Sequence, residues 1–337
     1  MKHAFSSMKR IGRYIKPYRV TFYLVILFTI LTVAFNAALP YLTGLPTTEI
    51  SRNIAAGESI NFDYVIQCLI WILVVGTGYC VAQFLSGFLM TNVVQQSMRD
   101  LRRDIEEKIN RLPVSYFDKN QQGNILSRVT NDVDAVSNAM QQSFINIVSA
   151  VLGIVMAVVM MFLINPLMAI FSVIMIPLSL IISRTIVKIS QKYFQGMQNS
   201  LGDLNGYVQE NMTGFSVLKL YGREKETLEG FKQVNHRLNG FGFKASFISG
   251  LMLPLVQMTA YGTYIGVAVL GSYYVVAGVI VVGQLQAFIQ YIWQISQPMG
   301  NITQLSAALQ SASASTMRIF EILDEPEEEL NEQDVPL

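Results

Sequence analysis

Six long apolar runs, whose interiors lack charged residues, constrain what this chain can fold into. Their approximate limits are 20–42, 64–91, 141–163, 166–184, 247–271 and 279–306. A helix needs about 20 residues to cross the hydrocarbon of a bilayer, and each run is close to that length or longer. Only 14% of the residues are charged, against about 25% in a typical soluble domain. The sequence therefore predicts an all-α membrane protein with six transmembrane helices.

The basic residues lie between these runs and predict their orientation. Six of the 24 Lys and Arg residues fall in the first 19 positions, and most of the others fall in 92–140 and 185–246. Cytoplasmic loops of membrane proteins are enriched in Lys and Arg. We therefore expect both termini and the two long connections to be cytoplasmic. Residues 1–19 are expected to form an amphipathic elbow helix at the inner membrane surface.

The two long connections are predicted to be helical extensions of the spans. Apolar residues recur at helical spacing in the first connection until Pro113; they are Leu101, Ile105, Ile109 and Leu112. The pattern resumes at Ile125 and continues through Val129, Val133 and Val136. The second connection has helical patterns on both sides of Thr213 and Gly214. Spans two to five are therefore expected to project beyond the bilayer, with short elements at their tips.

The last apolar run carries a regular stripe of amide side chains. They recur every three or four residues and share an arc of about 80° on a helix; they are Gln286, Gln290, Gln294, Gln297, Asn301 and Gln304. An amide in hydrocarbon is costly unless it meets a partner or water. Two interpretations follow: the amides form hydrogen bonds between helices, or they line a water-filled pathway. Pro298 is expected to bend this helix.

A pathway would need further walls, and the third run offers a second polar face with Gln142 and Asn146 at helical spacing. The full set of candidate pathway residues is Gln286, Gln290, Trp293, Gln294, Gln297, Asn301, Asn146, Gln142, Tyr261 and Met258. No Asp, Glu, Lys, Arg or His side chain lies inside the spans, which argues against a proton relay and an ion-driven secondary transporter. Methionine and aromatic side chains repack around varied shapes, so we expect large, amphipathic compounds as cargo.

Three stretches outside the spans resemble the transmembrane domains of ABC exporters of the type IV (also called type-1) fold. They are LPVSYFDKNQQGNILSRVTNDVDAV in the first connection, LNGYVQENMTGFSVLKLYGREKETLEGF in the second, and ASASTMRIFEILDEPEE near the C-terminus. The resemblance covers residues from about 5 to 329. It implies a six-helix transmembrane domain at 20–319 and a linker with an acidic tail at 320–337.

The resemblance also implies that each cytoplasmic tip is a coupling helix that docks on a nucleotide-binding domain. The tips are placed at about Ser115–Gln122 and Asn211–Lys219. The residues assigned to docking are Ser115, Tyr116, Phe117, Asp118, Asn211, Thr213, Gly214 and Phe215. For Tyr116 and Phe117 the alternative is packing among the protein's own helices.

The family's nucleotide-binding domain is not in this sequence, because no G-x-x-x-x-G-K-[ST] motif occurs. We therefore expect no catalytic, cofactor-binding or metal-binding residue in this chain and no ATP hydrolysis by it alone. ATP and Mg would be bound by the missing domain. The chain is either a separately encoded membrane subunit or one cut at the domain boundary, and its linker-like C-terminal segment favours the cut.

The function that the resemblance implies is export of hydrophobic drugs across a bacterial plasma membrane. Six spans do not enclose a cavity for a large substrate, so a dimer with an identical or different second half is expected. The alternatives are a lipid or glycolipid flippase of the same architecture and a membrane regulator that does not transport. The expected partners are the second half, nucleotide-binding domains, and hydrophobic small molecules or lipids, with no nucleic acid among them.

Overall fold

The computed structural model describes residues 10–300 and 302–328, except for the side chains of residues 299–307. Every regular element in this part of the chain is a helix, which confirms the all-α prediction. The α-helices are α1 Arg19–Ala56, α2 Phe62–Ile109, α3 Val114–Lys119, α4 Gln122–Ser127, α5 Val133–Ile164, α6 Pro166–Val173, α7 Met175–Thr213, α8 Phe215–Leu220, α9 Glu224–Gly250, α10 Met252–Val276, α11 Val282–Gly300 and α12 Ile302–Leu323.

Five helical stretches of the described residues are long and apolar enough to cross a membrane. They are Arg10–Ala56, Phe62–Ile109, Gln122–Ile164, Pro166–Thr213 and Glu224–Val276. They contain the first five predicted spans. The sixth, predicted at 279–306, falls on α11 and the start of α12. It is not among the five stretches because the five glutamines of α11 lower its mean hydropathy.

The predicted elbow is helical where the structure describes it. Residues 10–15 are α-helical, and the 3₁₀ turn Lys16–Tyr18 joins them to α1 without a gap. The first nine residues lie outside the described part. Residues 10–18 are therefore a continuation of the first span, joined to it by a tighter turn.

Glycine and proline determine where several helices end. Asn165 is extended and Pro166 begins α6, so the boundary between spans three and four lies between the predicted limits at residues 163 and 166. Helix α10 runs to Val276, so the predicted end at residue 271 is wrong. Gly271 costs a helix only about 1 kcal/mol relative to alanine. The left-handed residue that the turn requires is instead Gly278, with φ +74°.

Two long helical stretches of the second half are interrupted a few residues before a proline. The first interruption is Ile174, before Pro177, and the second is Leu251, before Pro254. Proline has no N–H to donate to the carbonyl four residues earlier. Those carbonyls belong to the last residues of α6 and α9. The missing bonds therefore explain where the interruptions fall.

The described chain divides into two compact units. Unit 1 comprises residues 10–166, 271–294 and 304–328 of the described part, and α1, α2 and α5 pack together in it. Its core extends along the predicted cytoplasmic extensions of α2 and α5. This core cluster consists of Ile11, Val25, Met90, Val94, Met98, Leu101, Ile105, Leu112, Val133, Val136, Ile319, Phe320 and Ile322.

The core cluster confirms the apolar faces predicted for the first connection. Leu101 and Ile105 are buried on α2, and Val133 and Val136 are buried on α5. Helix α2 ends at Ile109, before the predicted stop at Pro113, and a turn carries the chain onward.

Unit 2 comprises residues 167–270, 295–300 and 302–303 of the described part. Helices α7 and α9 lie against each other along their length in this unit. The Tyr207 hydroxyl donates to the Thr227 carbonyl at 2.8 Å, and the hydroxyls of Ser179 and Thr259 are 2.9 Å apart. Helix α7 ends at Thr213 and α8 begins at Phe215, which confirms the predicted break in the second connection.

Helices α1 and α11 approach each other closely at two glycines. A Cβ atom added to Gly44 or Gly283 would overlap the backbone of the other. The Gly283 N–H donates to the Thr48 hydroxyl at 3.1 Å, and that hydroxyl donates to the Gly44 carbonyl at 3.0 Å. Small residues allow such approaches between membrane helices. The contact therefore fixes the start of α11 on α1.

We predict that Gly283→Ala lowers the stability of the protein by about 1–3 kcal/mol, because the added methyl forces α1 and α11 apart. The measurement is thermal unfolding in detergent. The matched control is Gly76→Ala, where an added Cβ meets no atom within 4 Å. Equal melting temperatures for the two variants would contradict the close contact.

Candidate functional site

The amide stripe lies along α11, and most of it is described. Gln286, Gln290 and Gln294 are half-buried, and Gln297 is exposed. Asn301 lies outside the described residues, and the Gln304 side chain is not described. Trp293, adjacent to the stripe, is half-buried.

Two of these amides bond to α1. The Gln290 Nε2 donates to the Thr43 hydroxyl at 3.2 Å, and the Gln294 Nε2 donates to the Asn36 carbonyl at 3.0 Å. Between them, the buried Tyr291 hydroxyl donates to the Ala37 carbonyl at 2.7 Å. The structure therefore shows the interhelical role for Gln290 and Gln294. Tyr291 was not among the residues predicted for the pathway, although a hydroxyl in an apolar run was a signal for an interhelical bond.

The polar face predicted on α5 is present and open. Gln142 and Asn146 are exposed, four residues apart on one side of the helix. Both belong to unit 1, together with Gln286, Gln290, Trp293 and Gln294. Helices that cross hydrocarbon place such amides against protein or water. The α5 face can therefore serve as one wall of an aqueous pathway.

The remaining candidate pathway residues belong to unit 2. Met258 and Tyr261 are exposed on α10, and Gln297 lies in the part of α11 assigned to that unit. Their part in a pathway stays a prediction from the sequence.

The first predicted tip is the short helix α3. Ser115 and Asp118 are exposed, whereas Tyr116 and Phe117 are half-buried and pack against the core cluster of unit 1. The two rings meet edge to face, with centroids 5.8 Å apart. Burial raises the pKa of the Tyr116 hydroxyl. The alternative interpretation of these rings, packing against the protein's own helices, is therefore what the structure shows.

The second predicted tip contains α8, and its apolar side chains are largely uncovered. Phe215 is 52% exposed, Val217 61% and Leu220 83%. Asn211, Thr213 and Gly214 precede them; the Asn211 amide donates to the Tyr207 carbonyl at 2.6 Å. Phe215 was among the residues predicted to dock, whereas Val217 and Leu220 were not. Their apolar side chains within a charged connection were a signal that could have identified them.

Ionic contacts hold the C-terminal end of α12 against the rest of unit 1. Arg318 donates to the Asp132 carboxylate, which also accepts from the Ser315 hydroxyl at 2.9 Å. Asp132 is only 6% exposed. Nearby, the Arg128 and Glu321 side chains pair at 3.0 Å. We call these contacts the α12 clasp.

A second pair lies just beyond the clasp. Arg10 donates to Asp324 through both terminal nitrogens, one of them at 2.6 Å, and its guanidinium lies 3.9 Å from the Phe320 ring centroid. The bond from Arg10 lowers the pKa of the Asp324 carboxyl. The pair therefore persists below neutral pH until that carboxyl is protonated. The partners in these pairs are nearly two hundred residues or more apart in the sequence, so no local pattern predicts them.

Comparison with known proteins shows which family the sequence matches. Residues 22–299 match the family model of the ABC transporter transmembrane region. A fatty acid ABC transporter ATP-binding/permease protein of Mycobacterium tuberculosis is 37% identical over 82% of this chain and 44% of its own length. An ATP-dependent lipid A-core flippase of Nitrosococcus oceani is 27% identical over 96% and 54%. A multidrug resistance ABC transporter ATP-binding and permease protein of Lactococcus lactis is 26% identical over 70% and 40%.

The chain thus spans about half the length of the curated relatives that it matches. In the described part no group of three or more His, Cys, Asp or Glu side chains could hold a metal ion.

We predict that Asp132→Asn destabilises the protein by about 1.5–3 kcal/mol, because the part-buried hydrogen bonds from Arg318 lose the charge of the carboxylate. The control is Asp134→Asn, two residues away, whose exposed pair with Arg102 is worth at most about 1 kcal/mol. Thermal unfolding in detergent compares the two. An equal loss in both variants would contradict a special role for the clasp.

Proposed function

Because the chain belongs to the ABC transporter transmembrane-region family, we propose that it forms the membrane half of a dimeric, ATP-driven exporter. The observation that carries the proposal is the uncovered apolar surface of α8, where Phe215, Val217 and Leu220 are exposed. This tip lies far along the chain from the apolar runs, so lipid does not cover it. An apolar surface exposed to water marks a binding site for another protein.

The partner that fits α8 is a nucleotide-binding domain. Helix α8 is only six residues long and connects the long helices α7 and α9. A displacement of α8 is therefore transmitted along both helices. Helix α3 offers a second, more polar surface through Val114, Ser115 and Asp118, all exposed. Tyr116 and Phe117 brace α3 on the core cluster, and their contribution to docking is to hold that surface in place.

ATP and Mg belong to the partner domain in this proposal. The regular elements of the described residues are all helices, and the sequence has no phosphate-binding glycine loop, so the nucleotide is assigned to the partner domain. Both termini and the two tips are assigned to the cytoplasm by the basic residues around them.

The substrate pathway is assigned to the polar faces of α5 and α11. Gln142 and Asn146 are exposed, and Gln286 makes no side-chain hydrogen bond to a described residue, unlike Gln290 and Gln294. Amides without charge suit amphipathic cargo, and hydrophobic drugs are the class that we propose. A lipid cargo is the second candidate, because two of the relatives are named for fatty acid and for lipid A-core.

We predict that several unrelated drugs quench the fluorescence of Trp293 saturably in the Trp71→Phe protein. Trp293 lies beside Gln290 and Gln294, and Trp71 is the other tryptophan of the chain. The measurement is a titration in lipid nanodiscs with cationic and neutral drugs, fatty acids and lipid headgroup analogues.

The variant Gln290→Ala separates a pathway from a purely structural role. If Gln290 lines the pathway, Gln290→Ala weakens the apparent drug affinity measured by quenching about tenfold or less, the value of one hydrogen bond. The control is Gln67→Ala, at an exposed position on α2, which leaves the affinity unchanged. A response confined to lipids favours the flippase. Unchanged quenching with a lowered melting temperature contradicts the pathway role of Gln290.

We predict that Val217→Asp and Leu220→Asp abolish ATP-driven drug uptake into inverted vesicles that contain the assembled transporter. A charge at the centre of an apolar contact costs several kcal/mol of binding. The control is Leu201→Asp on α7, outside the tip and 38% exposed.

Quenching of Trp293 stays unchanged in both tip variants, because the tip is distant from α11 in the chain. Full uptake by both tip variants would contradict docking at α8. A membrane regulator that does not transport would show no uptake even in the unmodified protein.

A further inference from the structure

Unit 1 contains an apolar cavity that the proposed transport pathway does not use. Its volume is about 240 Å³, and the N-terminal helical segment, α1, α2, α5 and α12 enclose it. Characteristic lining residues are Ile11, Ile15, Phe22, Phe144, Ile147 and Leu309. Among the described lining residues, only Ser143 and Thr316 have polar side chains, and the Thr316 hydroxyl already donates to the Ala312 carbonyl at 2.7 Å.

The chemistry of the lining selects hydrocarbon over water. A water molecule in a cavity needs two to four polar partners, and this lining supplies too few. Ile15, Phe22, Phe144 and Ile147 are half-buried, so they form an edge that is accessible from outside. Drug-sized ligands occupy pockets of about 300–1,000 Å³. The cavity is therefore suited to part of a single acyl chain.

Cationic side chains alternate with the lining residues along the N-terminal segment. Arg13, Lys16 and Arg19 are exposed, and none of them pairs with an acidic side chain in the described part of the protein. Arg10, by contrast, is held by Asp324. Cations next to an apolar membrane helix attract anionic lipid headgroups. The charge on this segment thus complements a phosphate at the edge of the cavity.

We propose that this cavity holds one acyl chain of an anionic phospholipid, with the headgroup phosphate against Arg13, Lys16 and Arg19. The lipid is a resident ligand, not cargo, so the proposal goes beyond transport and does not depend on which compound is exported. The second acyl chain of the lipid stays in the bilayer. Because Ile11 and Ile15 of the N-terminal segment and Leu309 and Ala312 of α12 line the cavity, its occupant contacts both elements and stabilises their junction.

Gly12 provides a way to fill the cavity without disturbing the fold. Gly12 lines the cavity, and a Cβ built on it meets no atom within 4 Å. The variant Gly12→Leu therefore places a side chain at the edge of the cavity. The matched control is Gly76→Leu, where the added Cβ also meets nothing but the cavity is not involved.

The charge half of the site has its own variant and control. Arg13→Gln, Lys16→Gln and Arg19→Gln together remove the cations. The control combines Arg184→Gln, Lys188→Gln and Lys192→Gln, three basic residues at four-residue spacing on α7. If Gly12→Leu aggregates, the charge variant still tests the proposal.

The experiment is photocrosslinking of the whole chain in nanodiscs, read out by mass spectrometric mapping. The probe is phosphatidylglycerol with a diazirine in one acyl chain, compared with the same chain on phosphatidylcholine and with photoreactive palmitate. We expect phosphatidylglycerol to label the peptides that contain Phe144, Ile147 or Ile15 about tenfold more than phosphatidylcholine does. Gly12→Leu and the triple charge variant should each reduce this labelling about tenfold, and both controls should leave it unchanged.

Three results would overturn the proposal. Equal labelling by phosphatidylglycerol and phosphatidylcholine, unaffected by either variant, would mean ordinary contact with the bilayer. Preferential labelling by palmitate would assign the site to a free fatty acid. Unreduced labelling of the charge variant would mean that Arg13, Lys16 and Arg19 do not bind the headgroup.

Discussion

The pairing of polar atoms at membrane depth is the constraint on which the rest of the structure depends. A helix as rich in amides as α11 is stable in hydrocarbon only where protein or water accepts its hydrogen bonds. On helix α1, the Thr43 hydroxyl and the Asn36 carbonyl accept these hydrogen bonds. The glycine contact between Gly44 and Gly283 brings the two helices close enough for these bonds. Helix α11 therefore needs α1 as its partner before it can form part of a pathway.

Beyond the apolar runs, a buried apolar core and surrounding ion pairs hold the helices of unit 1 together. The core cluster continues along the extensions of α2 and α5, where Leu101 and Val133 are buried, and charged groups surround it. The α12 clasp joins Arg318 to Asp132, and Arg10 joins Asp324. Hydrophobic burial thus stabilises these helices beyond the apolar runs. The ion pairs fix the orientation of the C-terminal end of α12 against the rest of unit 1. Helix α3 consequently rests on a packed bundle through Tyr116 and Phe117.

The residues that could be predicted are those whose signal lies within one helix. Periodicity identified the buried face that contains Leu101 and Ile105, and the gap between two apolar runs identified the helix boundary at Asn165. Periodicity does not identify the partner of a face, so the contact of Gly283 with α1 and the pair of Arg10 with Asp324 were not found. Docking and packing were both open for Tyr116 for the same reason, because an aromatic side chain at a tip fits either a partner domain or the protein's own core. The structure shows the packing, and docking stays a prediction.

The two interpretations of the amide stripe are compatible because a glutamine side chain has more than one hydrogen-bonding group. An amide offers two N–H donors and an oxygen with two lone pairs. The bond from Gln290 to Thr43 uses one donor, and Gln290 is only half-buried. The second donor and the oxygen remain to face water or a substrate. An amide, unlike a hydroxyl bonded back to its own helix, can therefore hold α11 on α1 and still present a polar surface, which explains why glutamine recurs along this face.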